Sequence, residues 1–197
     1  MRRLLAYLFI VLGLGLTFSF QSLSKADDIK DFEIEGMSIG DSLLDYFSKS
    51  EINNNNLKYY NDEKFITIGF DKHPLIKKYD WIEISYKKND QSFSISSLNG
   101  VLRYDHEYDN CLKKKETINN ELKAFSIKKP KTYGGKHPGD NSGKSKFENT
   151  EFYLSNGLFV TTCIDWSKKM EEEYFDHLKV FIGTNEFWDW INTNPYY

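Results

Sequence analysis

The sequence predicts an α+β fold: an antiparallel sheet of about six strands with a long helix packed on one face and short helices at both ends. Two observations predict this class. Stretches in which apolar and polar residues alternate recur along the chain, and turn signals separate them, so neighbouring strands are expected to pair as hairpins. One longer segment, 109–125, instead repeats its apolar residues at helical spacing.

The first half opens with a short strand and a short helix. Phe32 and Ile34 alternate as strand residues do, and either Asp41 or Ser42 is placed to cap a helix. The apolar face of that helix would carry Leu43, Leu44 and Phe47. Three further strands are predicted, over 65–70, 81–88 and 93–104.

The second half begins with the longest helix, over 109–125, in which Cys111 faces the core. The segment 127–149 is predicted to be a flexible basic loop, because prolines, glycines and lysines dominate it. The chain then closes with a hairpin over 151–166 that turns at Asn156 and Gly157, a strand over 177–184, and a short helix capped by Thr184 or Asn185.

Residues 1–26 are typical of a cleaved secretory signal. Two arginines precede an apolar core, and Ser24 and Ala26 are small residues at the positions that a signal peptidase requires. Cleavage after Ala26 would leave a single domain over 27–197. The alternative is a retained membrane anchor, because the apolar run extends to Phe20, near the shortest length that spans a bilayer.

The two cysteines of this chain, Cys111 and Cys163, are predicted to form a disulfide. An exported protein folds in an oxidising compartment, and closing the loop between them would stabilise the fold by about 4 kcal/mol in the chain-entropy model. The alternative is a pair of buried free thiols. Their spacing does not match a metal site. We predict a periplasmic or secreted protein.

Composition argues against nucleic acids as partners. The net charge of the chain is −3, and removing the basic signal would make it more negative. Arg103 is the only arginine outside the predicted signal, so the side chain best suited to bidentate contacts with phosphates and bases is almost missing.

The stretch HPGDNSGKS, residues 137–145, resembles the end of a phosphate-binding P-loop. That motif requires a glycine at position 138, where the sequence has Pro138, and Gly139 leaves the motif one residue too short. A P-loop also joins a strand to a helix, whereas this segment leads from a helix into a strand. We therefore predict no nucleotide and no cofactor.

The lysines of this segment leave two interpretations. The segment is either a solvated basic loop or a local site for an anionic ligand, such as a carboxylated or sulfated glycan, a phospholipid head group or an acidic partner. The residues of that candidate site are Lys136, His137, Lys144 and Lys146.

The histidines predict no metal site, because no pair of them has the i, i+4 spacing of helical ligands. His106 lies among Asp105, Glu107 and Asp109, where it could bind a cation or act in acid–base chemistry. We favour a polar connection into the next helix, since acids stabilise a helix N-terminus. No G-x-S-x-G motif is present, and the sequence predicts no catalytic residue.

Two tryptophans lie two residues apart on the last predicted helix. Trp188 and Trp190 therefore face different directions, and one of them is expected to be more exposed. They would serve recognition of a sugar or a protein, or form core and rim of the fold, which we favour.

Three segments carry a resemblance. FEIEGMSIGDSLLDYFSKSEI, GKHPGDNSGKS and TTCIDWS together resemble a group of small exported bacterial proteins of unknown function. The segment from Ile34 to Leu43 is also similar to the entry segment of BamE-like outer-membrane assembly lipoproteins. That resemblance implies two helices packed on a three-stranded antiparallel sheet and a protein-binding role. This chain departs from those lipoproteins in having no lipid-attachment cysteine and a whole second half.

These features favour a non-enzymatic exported module that binds an unknown envelope protein or an anionic envelope component. Membrane contact is expected only if the signal is retained. The alternative is a small envelope hydrolase whose site is assembled across the fold around His106 or His137. A histidine beside a carboxylate and a hydroxyl would favour the hydrolase, and an aromatic patch would favour the binding module.

Overall fold

The computed structural model describes residues 28–60 and 64–193; the predicted signal peptide lies outside the described residues. The strands are β1 (Glu33–Ile34), β2 (Met37–Ser38), β3 (Phe65–Phe70), β4 (Trp81–Lys87), β5 (Ile95–Arg103), β6 (Lys131–Lys136), β7 (Lys146–Tyr153), β8 (Gly157–Asp165) and β9 (His177–Thr184). The helices are α1 (Lys49–Asn54), α2 (Tyr108–Leu122) and α3 (Asn185–Thr193). None of them is long and apolar enough to cross a membrane.

The predicted α+β class with an antiparallel sheet is confirmed. The main sheet has the strand order β3-β4-β5-β9-β8-β7-β6, and each neighbouring pair is antiparallel. Strands β1 and β2 form a separate small ribbon. The main sheet has seven strands rather than about six. The seventh is β6, which falls inside the segment predicted to be a loop.

The loop prediction over 127–149 is therefore wrong for β6 and for the start of β7. The sequence of β6, KTYGGK, shows no apolar alternation, and all six of its residues are exposed. It becomes a strand because it pairs along its length with β7, which is an effect of tertiary context. A side chain at Gly134 would come within 2.5 Å of the Phe147 carbonyl oxygen, so this pairing requires glycine there.

The two faces of the sheet are covered to different extents. The closed face is the one on which the N-terminal segment 29–54 and helix α2 pack, and it holds the larger apolar core. The open face is the opposite one, and α3 covers only one end of it. There Phe187 and Trp190 pack against Leu158, Val160 and Phe181.

Helix α2 is joined to the sheet by the disulfide that the sequence predicted. Cys111 on α2 bonds to Cys163 on β8, with the two Cα atoms 6.0 Å apart. Both side chains are fully buried in the core of the closed face. The bond closes a loop that contains β6 and β7.

The N-terminal helix begins later than predicted. Leu43–Asp45 form one 3-10 turn capped by Ser42, and Leu44 is 40% exposed rather than part of an apolar face. Helix α1 begins after Ser48, whose hydroxyl accepts from the Glu51 amide while the Glu51 carboxylate accepts from the Ser48 amide. This reciprocal capping box fixes the helix start.

The C-terminal helix begins as predicted, with the Thr184 hydroxyl accepting from the Phe187 amide at 3.1 Å. Trp190 is buried in the core under α3, while Trp188 is half-buried. The expectation that one of the two tryptophans is more exposed is confirmed.

Candidate ligand-binding cleft

A cleft of about 300 Å³ lies on the open face of the sheet, between α3 and the turn that follows β6. Its apolar walls include the rings of Tyr133, Phe147, Phe181 and Trp188. The polar side chains in its lining are Asn99, Asn149, Thr162, Lys179 and His137. The cleft therefore combines aromatic walls with a few converging polar groups, as ligand sites do.

Strand register explains why these polar side chains converge. Thr162 lies opposite Asn149 on one side and opposite Lys179 on the other. Asn99 lies opposite Phe181, two residues further along β9. Directly opposed residues of antiparallel strands project on the same face of a sheet, so Asn99, Asn149, Thr162 and Lys179 all project from the open face.

Asn99 contributes a buried carbonyl oxygen that has no partner. Its Nδ2 donates to Oε2 of Glu83 at 3.3 Å, and a carboxylate can only accept, so the amide nitrogen is directed to Glu83 and Oδ1 points elsewhere. The Glu83 carboxylate is itself held by the Tyr59 hydroxyl at 2.9 Å and the Trp81 indole at 3.3 Å. Asn99 is only 7% exposed, and its Oδ1 accepts no hydrogen bond.

Asn149 is oriented in the same way through a tyrosine. The Tyr133 hydroxyl donates to Oε1 of Glu151 at 2.9 Å, so its oxygen accepts from Nδ2 of Asn149 at 3.2 Å. The Tyr153 hydroxyl also donates to Glu151. Burial and Glu151 raise the pKa of Tyr133, which therefore keeps the proton that this arrangement needs. Oδ1 of Asn149 is left buried and without a partner.

The lack of hydrogen bonds to these two carbonyl oxygens lowers the stability of the fold. A buried carbonyl without a hydrogen bond costs about 1–3 kcal/mol, and folded proteins rarely retain one without a reason. Both amides belong to residues that line the cleft, where a ligand that carries hydrogen-bond donors could complete them.

Lys179 provides the positive charge of the cleft. Its ammonium forms no ion pair with any residue that the structure describes. Burial lowers the pKa of the nearby His137, and Lys179 adds to the effect. Burial likewise lowers the pKa of His177 to about 4, and its Nδ1 donates to the Phe175 carbonyl at 2.8 Å. At neutral pH both imidazoles are therefore uncharged.

The stretch 137–145 folds around the carboxylate of Asp140. That carboxylate accepts from the amides and the hydroxyls of Ser142 and Ser145, at distances from 2.6 to 3.0 Å. These hydrogen bonds hold the pKa of Asp140 well below its usual range. An internal carboxylate thus occupies amides that a P-loop would offer to phosphate, in agreement with the sequence interpretation.

The structure separates the four residues proposed from sequence as an anion site. The His137 ring lies 4.3 Å from that of Trp166 and lines the cleft. Lys136 and Lys146 instead face each other across β6 and β7, and the Lys146 ammonium pairs with Asp165 at 3.0 Å. Lys144 is exposed on the turn. Anion binding by these lysines stays a prediction, and only His137 reaches the cleft.

His106 lies in a second, acidic pocket. Its Nδ1 is 3.4 Å from Oε1 of Glu171, and both residues offer atoms within 4.8 Å of the Asp176 carboxylate. Asp176 is already engaged, since its two oxygens accept from the amides of His106 and Trp166 at 3.0 and 2.6 Å. These bonds tie the segment before α2 to the end of β8, which gives Asp176 a structural role.

A histidine beside a hydroxyl would have favoured the hydrolase. Across residues 28–60 and 64–193, no serine, threonine or tyrosine hydroxyl hydrogen-bonds to a histidine nitrogen. The ring nitrogens bond to backbone groups or approach carboxylates instead.

No protein-family model, no curated protein and no solved structure matches this chain. The fold and the site alone define its class, which is an α+β protein with an antiparallel sheet, closed on one face and bearing an aromatic and polar cleft on the other.

The residues at the centre of the cleft were not predicted from the sequence. Asn99 and Lys179 lie on strands it predicted, at positions facing away from the apolar core, which was the available signal. Asn149 was assigned to the end of a loop. The hairpin of β7 and β8 was predicted, but nothing in the sequence indicated that β9 would pair with β5.

Proposed function

We propose that the protein is an exported, non-enzymatic binding module whose ligand site is the cleft on the open face. The observation that carries this proposal is the buried, unpartnered carbonyl oxygen of Asn99 in the lining, repeated at Asn149. A ligand with donors would satisfy both oxygens, and an anionic group on it would pair with Lys179. Such a ligand would recover the free energy that an unsatisfied buried carbonyl costs.

Export is part of the proposal. It is supported by the signal-like N-terminus and by the bond between Cys111 and Cys163, because disulfides persist in oxidising compartments. The ligand we propose is an anionic component of the cell envelope, since the charged side chain that lines the cleft is a lysine. Aromatic walls would supply apolar contact area beside it.

The experiment is equilibrium binding to an array of envelope saccharides, lipid head groups and peptides. It uses oxidised 27–197 as wild type, as the cleft variant Asn99→Leu with Lys179→Met, and as the loop variant Lys144→Ala with Lys146→Ala. We expect an anionic class to be retained by the wild type and the loop variant and lost, at least tenfold, by the cleft variant. The same melting temperature for all three forms serves as the folding control.

Two results would contradict the proposal. Loss of retention in the loop variant alone would place the site at the basic turn. Equal retention by all three proteins, or retention by none, would show that the cleft does not bind envelope components.

A further inference from the structure

The charge of the cleft selects for an anionic ligand. Within the described chain, Lys179 is unpaired and no aspartate or glutamate lines the cleft. Glu83 and Glu151, the carboxylates that orient the two amides directly or through Tyr133, already accept two or more hydrogen bonds each. A cationic ligand would meet Lys179 with no free carboxylate to balance it.

The unpartnered oxygens of Asn99 and Asn149 disfavour an anion that can only accept hydrogen bonds. A phosphate or sulfate group could pair with Lys179 but would donate nothing to the two amides. Hydroxyl groups donate and accept at once, so a polyhydroxylated ligand could bond to a carbonyl oxygen and to the ammonium together. The polar lining therefore matches a molecule that carries several hydroxyls and one carboxylate.

Two parts of the chain enclose the cleft at its ends. Trp188 and Ile191 of α3 bound it at one end, and His137 and Pro138 bound it at the other. The ring of Tyr133, which is 37% exposed, offers an aromatic face at the rim. Aromatic faces present apolar area against which the C–H face of a sugar ring can pack.

We infer that the cleft binds a carboxylated saccharide of the hexuronate class, with the carboxylate on Lys179, hydroxyls on the amides of Asn99 and Asn149, and a sugar face on an aromatic wall. This inference rests on the proposed function of the cleft as a ligand site.

The test compares acidic sugars with their neutral counterparts. Trisaccharides of galacturonate, glucuronate and mannuronate, and the corresponding neutral hexose trisaccharides, are titrated into oxidised 27–197 by calorimetry. We expect at least one acidic trisaccharide to bind at least tenfold more tightly than its neutral counterpart. Lys179→Met should remove that preference, and Asn99→Leu should lower the affinity for the acidic and the neutral trisaccharide about equally.

The matched control is Lys144→Ala, an exposed lysine outside the cleft, which should leave the preference unchanged. Equal affinity for acidic and neutral sugars, or no saccharide binding, would overturn the inference. If lipid head groups or acidic peptides instead bind to the wild type and fail to bind to the cleft variant, the cleft is a ligand site, as proposed, but for another class of ligand. If no class of probe binds at the cleft, both proposals fail.

Discussion

The two faces of the sheet both bury polar side chains, but they satisfy them differently. On the closed face, Lys115 is 2% exposed, and its ammonium donates to Glu148 and to Thr150, each at 2.9 Å. Asn119 beside it is bonded at both ends: Nδ2 donates to Thr150 at 3.3 Å, and Oδ1 accepts from Thr161 at 2.6 Å. No buried side-chain nitrogen or oxygen of these residues lacks a hydrogen-bond partner.

On the open face, Asn99 and Asn149 are bonded only through nitrogen. The same residue type thus completes a network on one face and leaves it incomplete on the other. A buried network that closes on itself stabilises a fold, whereas one that stays open at a cleft can be completed by a group from outside the chain. We therefore expect mutations on the closed face to reduce stability and mutations in the cleft to reduce binding.

The largest expected effect concerns the disulfide of the closed face. Cys111→Ala with Cys163→Ala should lower the free energy of unfolding by about 4 kcal/mol, because the unfolded chain gains the freedom of a 52-residue loop. Denaturant titration of the variant and of the oxidised wild type measures this. A loss below about 1 kcal/mol would show that the closed face is held without the bond.

The second effect is a pH dependence that originates on the open face. His177 has a folded pKa of about 4, below its unfolded value near 6.5, so the unfolded chain binds the extra proton between those values. The stability contributed by the neutral imidazole is complete above pH 6.5 and is lost as the pH falls to 4, by about 3 kcal/mol. His177→Gln should flatten the unfolding free energy across this window. An unchanged slope would contradict the assignment.

A matched pair of substitutions compares the two faces directly. Asn119→Leu removes both hydrogen bonds of a satisfied amide and leaves the buried Thr161 hydroxyl without its acceptor. We expect a loss of about 2 kcal/mol in the free energy of unfolding. Urea denaturation of this variant measures the loss. An unchanged free energy of unfolding would contradict the claim that the closed-face network stabilises the fold.

The smallest effect on stability belongs to the other member of that pair. Asn149→Leu removes one 3.2 Å hydrogen bond together with an unpartnered carbonyl, so its unfolding free energy should change by less than about 1 kcal/mol. Its binding in the saccharide titration should nevertheless fall. A loss as large as that of Asn119→Leu would mean that Asn149 is structural.

Local patterns were enough to predict much of the fold. Strands were predicted over 65–70 and 177–184, and the structure places β3 and β9 over those ranges. Two cysteines behind a predicted signal peptide were enough to predict the bond between Cys111 and Cys163. The missed strand, β6, has no pattern of its own and depends on β7 for its conformation.

The cleft could not be predicted, because it is a property of strand order. Asn99 and Asn149 lie fifty positions apart in the chain, and only the insertion of β9 and β8 between β5 and β7 brings them to one face. The Asn99 amide is oriented by Glu83 on the neighbouring strand β4. The Asn149 amide is oriented through Tyr133 by Glu151, which lies further along β7. His137 was singled out from sequence, but for a basic turn rather than for this cleft.

The most direct test of the central claim is a ¹H–¹⁵N spectrum of oxidised 27–197, titrated with a hexuronate trisaccharide and with any other class that the array retains. We predict that the side-chain amide signals of Asn99 and Asn149 shift with the same saturation curve while that of Asn119 stays fixed. Saturable shifts confined to the basic turn around Lys144, with the signals of Asn99 and Asn149 unmoved, would contradict the account.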